Sequence, residues 1–178
     1  MTNRTLTSPV PANLNPLSPN GYMFTLQRAP GLKYFCQEVS IPTVSLPEAT
    51  QLNPFVKVPI AGDQLEYDTL RVQFLVDEKM ENYKAVHEWI TGLGFPEKYD
   101  QYTNTLAVNT TPGLSEVAKS SSDATLVILG NDNNPIQTIQ FVDCVPQSLD
   151  SLTFVSTNQD VQYLIGNVTF GYTYYKFV

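Results

Sequence analysis

The sequence predicts a predominantly β domain with one helix inserted after the fourth or fifth strand. From Gly21 onward, short apolar stretches rich in aromatic and β-branched residues recur, a pattern typical of strands. One stretch near the middle changes to helical spacing. Of the 178 residues, 42% are hydrophobic and 15% charged, which is enough apolar material for one core. We therefore predict a single domain over residues 21–178.

The first 20 residues have a different composition. Proline recurs there among Ser, Thr and Asn, as in TSPVPANLNPLSPN. This composition favours extended or mobile backbone over a packed element. We predict an N-terminal arm over residues 1–20, and we expect its deletion to leave the fold intact.

The strands before the helix are predicted in two groups. GYMFTLQ and KYFCQEVSI are predicted to form a hairpin around Ala29-Pro30-Gly31. Residues 69–76 alternate with a period of two, which predicts a strand with one face in the core. That face is formed by Leu70, Val72, Phe74 and Val76.

Between these groups lies a segment rich in proline. Because proline donates no backbone hydrogen bond, it is excluded from central strands. The segment is therefore predicted to pair at an edge or to form a long exposed loop. Its prolines are Pro42, Pro47, Pro54 and Pro59.

The helix is predicted over about residues 79–91. Apolar side chains recur there at spacings of three and four, and acidic residues at its start complement the helix dipole. Gly92, Gly94 and Pro96 end the helix. Its predicted core side chains are Tyr83, Val86, Trp89 and Ile90.

After the helix, residues 97–123 are polar and predict a long loop of low regular content. Four strand-like stretches follow, and NDNNP separates the first two as a β-turn. These stretches are ATLVILG, IQTIQFVDCV, DSLTFVSTNQD and VQYLIGNVTFGYTYYKFV. The last predicts one long strand, with Val168, Phe170, Tyr172 and Tyr174 on the same face.

The formal net charge of −7 argues against a nucleic-acid-binding face, which needs clustered Lys and Arg. Tyr172, Tyr174, Tyr175 and Phe177 lack the basic neighbours that base stacking requires. We find neither a signal peptide nor an apolar run long enough to cross a membrane, so synthesis in the cytoplasm without membrane anchoring is expected.

No pattern in the sequence predicts an enzyme, a cofactor or a metal site. The single histidine, His87, lies in the predicted helix without a partner at triad spacing. The glycines form no phosphate-binding motif, and Cys36 and Cys144 are expected to be buried free thiols. The carboxylates around one strand and the helix start have a structural explanation: Asp63, Glu66, Asp68, Asp77 and Glu78.

Several ordered features between Tyr34 and Gly94 resemble the tail tube proteins of contractile-tailed bacteriophages. These are a strand ending in a proline bend (VSIPTV), a strand leading to a Gly-Asp turn (VPIAGDQLEYD), an alternating strand (LRVQFLVDE) and a short helix (NYKAVHEWI). IGNVTFGYTYYKF is similar to the closing strand of that family. The proline-rich arm and the serine-rich loop depart from a minimal tube protein.

The resemblance implies a β-sandwich or partly closed barrel with one flanking helix. Six copies would form a ring, and stacked rings would form the tail tube that conducts DNA without binding it specifically. Tail sheath, baseplate and tape-measure proteins would be the other partners, and the protein would reside in the virion tail. Pro42, Pro47, Pro54, Phe55 and Pro59 are the candidate contacts between subunits; the resemblance does not identify lumen-facing acidic residues.

Three alternatives remain open. A tube initiator or baseplate-hub protein has the same fold, as does the tube protein of a type VI or other contractile injection system, whose cargo is protein. A monomeric carbohydrate-binding β-sandwich would use Trp89, Tyr99 or Tyr102 as sugar platforms. Assembly that increases with concentration would separate the tube proteins from the carbohydrate-binding class.

Overall fold

The computed structural model describes residues 14–51, 55–56, 58–94, 97–107, 120–156 and 162–178, and within these ranges the predominantly β class is confirmed. The strands are β1 (Tyr22–Leu26), β2 (Cys36–Val39), β3 (Val44–Ser45), β4 (Glu48–Gln51), β5 (Val58–Ala61), β6 (Glu66–Tyr67), β7 (Leu70–Leu75), β8 (Ser122–Leu129), β9 (Pro135–Leu149), β10 (Ile165–Gly171) and β11 (Tyr174–Phe177). The helices are α1 (Leu32–Phe35), α2 (Glu81–Gly94) and α3 (Tyr99–Ala107).

One antiparallel sheet has the strand order β1-β8-β9-β10-β7-β2, and β11 adds to β9. The long strand β9 pairs with β8 and β11 through its first half and with β10 through its second. Between the halves Asp143 has a φ of 56°, and the register with β8 shifts by one residue. Such a bulge bends a strand, so β9 belongs to two halves of a curved sheet.

The core lies between these halves and under α2. Buried side chains from both halves form one cluster that also includes Val86 and Trp89 of α2. Tyr22 of β1 and Val39 of β2 line one groove and pack against the same core cluster, so the edge strands β1 and β2 lie near each other without being paired. The sheet is therefore a partly closed barrel.

The helix α2 begins at a side-chain cap. Asn82 accepts a hydrogen bond from the Tyr83 amide at 2.8 Å, and the Asn82 amide donates to the Asp77 carboxylate at 3.2 Å. These bonds satisfy amides that have no partner in the first turn. The predicted helix is thus confirmed, with its start two residues later and its end three residues later.

The predicted hairpin around Ala29-Pro30-Gly31 is wrong. β1 pairs with β8 and β2 with β7, so the two strands lie at opposite ends of the strand order. The short helix α1 stands where the turn was predicted and buries Leu32. Among the residues described before α2 there are seven strands, rather than four or five, because the proline-rich segment contains four short ones.

Three predictions in the second half of the chain also need correction. Residues 99–107 form α3 instead of a loop, because Thr105 packs against Gly92 of α2. The described part of DSLTFVSTNQD, residues 150–156, contains no strand. The final run divides into β10 and β11, which leaves Tyr174 exposed and turns Tyr175 toward the core.

Candidate assembly surface

The proline-rich segment folds into a long two-stranded hairpin outside the main sheet. β3 pairs with β6 near its base, and β4 pairs with β5 further out. We call these four strands and the described residues between them the outer hairpin. Its exposed apolar side chains are Val44, Leu46, Phe55, Val56, Ile60 and Leu65, and Phe55 exposes 90% of its surface. A two-stranded hairpin is marginally stable in water, so this one requires additional contacts.

The prolines take different positions in the outer hairpin. Pro42 is buried at the base, where its carbonyl accepts a hydrogen bond from the Tyr175 hydroxyl at 3.4 Å. The Pro47 carbonyl lies against Gly62, where a Cβ atom would collide with it. Pro59 lies in β5 opposite Thr50, which a ribbon with free edges tolerates. Pro54 lies outside the described residues.

Four aromatic rings join the base of the outer hairpin to the main sheet. Tyr67 of β6 lies 5.7 Å from Tyr175 and 6.0 Å from Tyr172, measured between ring centres. Phe141 of β9 lies 5.3 Å from Tyr172 and 5.6 Å from Tyr175. We call these four residues the aromatic clamp. Sequence patterns do not predict this cluster, because Tyr67 and Phe141 are far from Tyr172 and Tyr175 in sequence and alternation alone does not bring them together.

Three strands of the main sheet keep an unpaired edge within the described residues. β1, β2 and β11 each have one neighbouring strand. Two of these edges expose apolar side chains, Met23 of β1 and Phe177 of β11, whereas β2 exposes Gln37 and Glu38. Open edges of this kind are sites for pairing with another chain.

The face of β2, β7 and β10 that points away from the core is polar. It forms a shallow groove of about 580 Å³. The Gln73 amide donates to the Asn167 carbonyl oxygen across β7 and β10 at 3.1 Å. Charges of both signs line the groove, from Glu38, Arg71 and Asp150. Its amide, hydroxyl and charged side chains are typical of a surface in contact with water rather than of a core.

The predicted core side chains of α2 lie toward the sheet. Val86 and Trp89 are buried, while Tyr83 and Ile90 are half-buried against the core cluster. Trp89 lies 6.1 Å from Phe170 of β10, ring centre to ring centre. Because Trp89 is buried, its ring is not available as a sugar platform.

The histidine, the two cysteines and the NDNNP turn lie at separate places in the structure and do not form a common site. His87 is exposed on α2, and Cys144 is buried while Cys36 is half-buried, both as free thiols. NDNNP forms the turn between β8 and β9, with Asn133 at a φ of 59°. Within the described residues, no group of three or more His, Cys, Asp or Glu side chains is placed to hold a metal ion, and no helix is long and apolar enough to span a membrane.

Residues 11–178 match the family described as phage tail tube protein. The tail tube terminator protein of Enterobacteria phage T4 is 28% identical over 145 residues, which cover 79% of this chain and 74% of that protein.

Two solved structures share the fold. The tube-terminating cap of the anti-feeding prophage has a TM-score of 0.63 at 12% identity, covering 98% of this chain and 99% of that one. A chain from the sixfold-symmetrised baseplate of the same prophage has a TM-score of 0.57 at 10% identity, covering 92% and 96%.

Proposed function

The chain belongs to the phage tail tube protein family, and on that premise we propose that six copies assemble into a ring of a contractile tail's tube. Proteins of this family are structural and non-enzymatic. The observation that supports the proposal is the outer hairpin, which exposes six large apolar side chains on a ribbon unpaired with the main sheet. Contact with a neighbouring copy would bury this surface and satisfy the open strand edges.

Within the tube, we propose that this ring lies at the end rather than in the repeating part. The T4 relative is a tube terminator, and the anti-feeding prophage cap gives the higher TM-score of the two structures. A subunit of the main tube and an initiator or baseplate-hub protein are the other roles for the same ring. Sheath, baseplate and tape-measure proteins are the proposed neighbours, and the virion tail is the proposed location.

The polar face of β2, β7 and β10 is the proposed lining of the lumen. The side chains of Gln73 and Asn167 on this face are hydrogen-bonded to each other, and its charges include both signs. Passing DNA would find no cluster of cations to hold it. This differs from a uniformly acidic lumen, which the net charge of −7 alone would suggest.

Electron microscopy of the purified protein over a concentration series tests the proposal. Single sixfold rings that do not lengthen would support an end ring, whereas tubes would indicate the main tube. A monomer at every concentration, shown by light scattering, would contradict self-assembly.

Two matched variants test the outer hairpin in the same experiment. Phe55→Asp should abolish rings and leave the thermal unfolding of the monomer unchanged, because Phe55 is almost fully exposed. Phe154→Asp makes the same chemical change at a phenylalanine that exposes 71% of its surface outside the hairpin. If Phe55→Asp forms rings as well as the unchanged protein does, the hairpin is not the contact.

A further inference from the structure

We propose that the aromatic clamp fixes the direction in which the outer hairpin leaves the domain, and that Tyr67 and Tyr175 are its positioning residues. The inference rests on the proposed function only in assuming that neighbouring copies meet through the hairpin. The clamp itself is a property of the single chain and can be tested without assembly.

The backbone ladder at the hairpin base is short and interrupted, so a side-chain contact is needed to hold the hairpin at one angle to the sheet. β3 and β6 are paired through Val44–Tyr67 and Ser45–Glu66, and neither is paired with the main sheet. Two backbone hydrogen bonds, from the Asp68 amide to the Thr43 carbonyl and from the Ser40 amide to the Arg71 carbonyl, continue the ribbon toward β2 and β7. Between them Pro42 has no N–H to donate, so the ladder is interrupted at the base of the hairpin. Backbone pairing alone therefore restrains the angle between hairpin and sheet only weakly.

Tyr67 adds a side-chain restraint at this point. Its ring meets Tyr175 at an interplanar angle of 70° and Tyr172 at 65°, both edge-to-face. This geometry is favourable for aromatic pairs and is lost when a ring turns away. On the other strand of the base, the Pro42 carbonyl accepts a hydrogen bond from the Tyr175 hydroxyl. Tyr175 thus contacts the chain on both sides of the hairpin.

The clamp is anchored on a rigid part of the sheet. Tyr175 lies in β11, opposite Phe141 in the first half of β9, and Phe141 is fully buried. Tyr172 precedes β11, and its hydroxyl is buried with no hydrogen-bond partner among the described residues. A polar atom left unsatisfied in this position indicates that ring packing determines where Tyr172 lies.

Spin-label distances in the dilute monomer measure the direction of the hairpin. One label is placed at Glu48→Cys on β4 and the other at Lys84→Cys on the exposed side of α2, with Cys36→Ser and Cys144→Ala removing the native thiols. A narrow distance distribution is expected for this background. Tyr67→Ala and Tyr175→Ala should broaden it, whereas Tyr163→Ala, at a tyrosine 74% exposed outside the clamp, should not.

Two milder variants keep the test valid if the alanine variants fail to fold. Tyr67→Leu keeps apolar volume but removes the edge-to-face contacts, and it should broaden the distribution. Tyr175→Phe keeps the rings and removes only the bond to Pro42, so it should broaden the distribution less. An unchanged distribution in folded Tyr67→Leu and Tyr175→Ala would overturn the clamp.

Ring formation by the same variants without labels separates the two proposals. Loss of two ring pairs should raise the concentration needed for assembly about tenfold. If the distribution broadens and assembly is unaffected, the clamp stands and the hairpin is not the contact between copies. If the distribution is unchanged, the clamp is wrong whatever the assembly does.

Discussion

The guanidinium carbon of Arg28 lies 4.9 Å from the centre of the Trp89 ring. The same guanidinium donates a hydrogen bond of 2.5 Å to the Thr105 carbonyl, and the Trp89 indole N–H donates to the Ser120 carbonyl at 3.0 Å. Arg28 follows β1, Trp89 lies in α2 and Thr105 in α3. One side chain after a strand therefore links both long helices to the sheet.

Arg28→Ala should lower the free energy of unfolding by about 1–3 kcal/mol, because it removes the cation–π contact and a hydrogen bond. Urea unfolding followed by Trp89 fluorescence measures this loss. Lys84→Ala, on the exposed side of α2, is the control and should change stability by less than about 0.5 kcal/mol. Equal effects of the two variants would show that the Arg28 contacts contribute nothing.

Gly92→Ala should destabilise the protein by about 1–3 kcal/mol, because the added methyl group would collide with the Thr105 side chain. Gly94→Ala is the matched control in the same helix. A Cβ atom at Gly94 meets nothing within 4 Å, and Gly94 is the last residue of α2, so alanine there should change stability by less than about 0.5 kcal/mol. Thermal unfolding should show a clear loss for Gly92→Ala and little change for Gly94→Ala.

Asp143→Ala should cost about 1–2 kcal/mol, because alanine is unfavourable at a φ of 56°. The change also removes the acceptor of the Ser121 hydroxyl, which lies 3.0 Å from the carboxylate. Asp143→Asn should come close to the unchanged protein, since asparagine tolerates this backbone conformation and offers an acceptor oxygen. Denaturant midpoints that fail to separate alanine from asparagine would contradict the role assigned to this bend.

Tyr172→Phe should stabilise the protein by about 1 kcal/mol at neutral pH, because it removes a buried hydroxyl that has no partner among the described residues. Burial, with smaller effects of Tyr175 and Asp68, raises the pKa of Tyr172 from 10.0 to about 12. Below pH 10 the proton is held in both the folded and unfolded states. Between pH 10 and about 12 the unfolded chain releases it and the folded chain does not, so stability falls.

Urea unfolding at pH 8, 10 and 11 measures this dependence. The advantage of Tyr172→Phe over the unchanged protein should grow as the pH rises above 10, because phenylalanine has no proton to release. An advantage independent of pH would show that the Tyr172 hydroxyl ionises normally in the folded protein.

The sequence predicted correctly the strand and the helix whose buried side chains recur at regular spacing. β7 buries Leu70, Val72 and Phe74 on one face, and α2 has the predicted apolar face. The hairpin prediction around Pro30 failed because β1 and β2 find their partners elsewhere in the sheet, about a hundred residues away in the case of β1. Sequence spacing contains no direct measure of such distant pairing.

The assembly surface was predictable in part. The prolines predicted correctly that this segment is excluded from the central sheet. They did not predict that the segment folds into a two-stranded ribbon. α3 was missed because its residues are polar, and what fixes it is the contact between Thr105 and Gly92. The clamp depends on the break between β10 and β11, which reverses the side-chain parity expected for Tyr174 and Tyr175.

The bend of β9 at Asp143 has a mechanical consequence. Next to this bend the chain passes from β10 to β11, and the Thr173 amide of that connection donates a hydrogen bond to the Val142 carbonyl of β9. Two continuous backbones thus cross from one half of the sheet to the other. A force that pulls the two halves of the sheet apart would act on the covalent backbone at both crossings. The hydrogen bonds between strands would not be broken one after another along the boundary between the halves. Under such a force, the helices and loops of the domain should therefore unfold before the sheet separates.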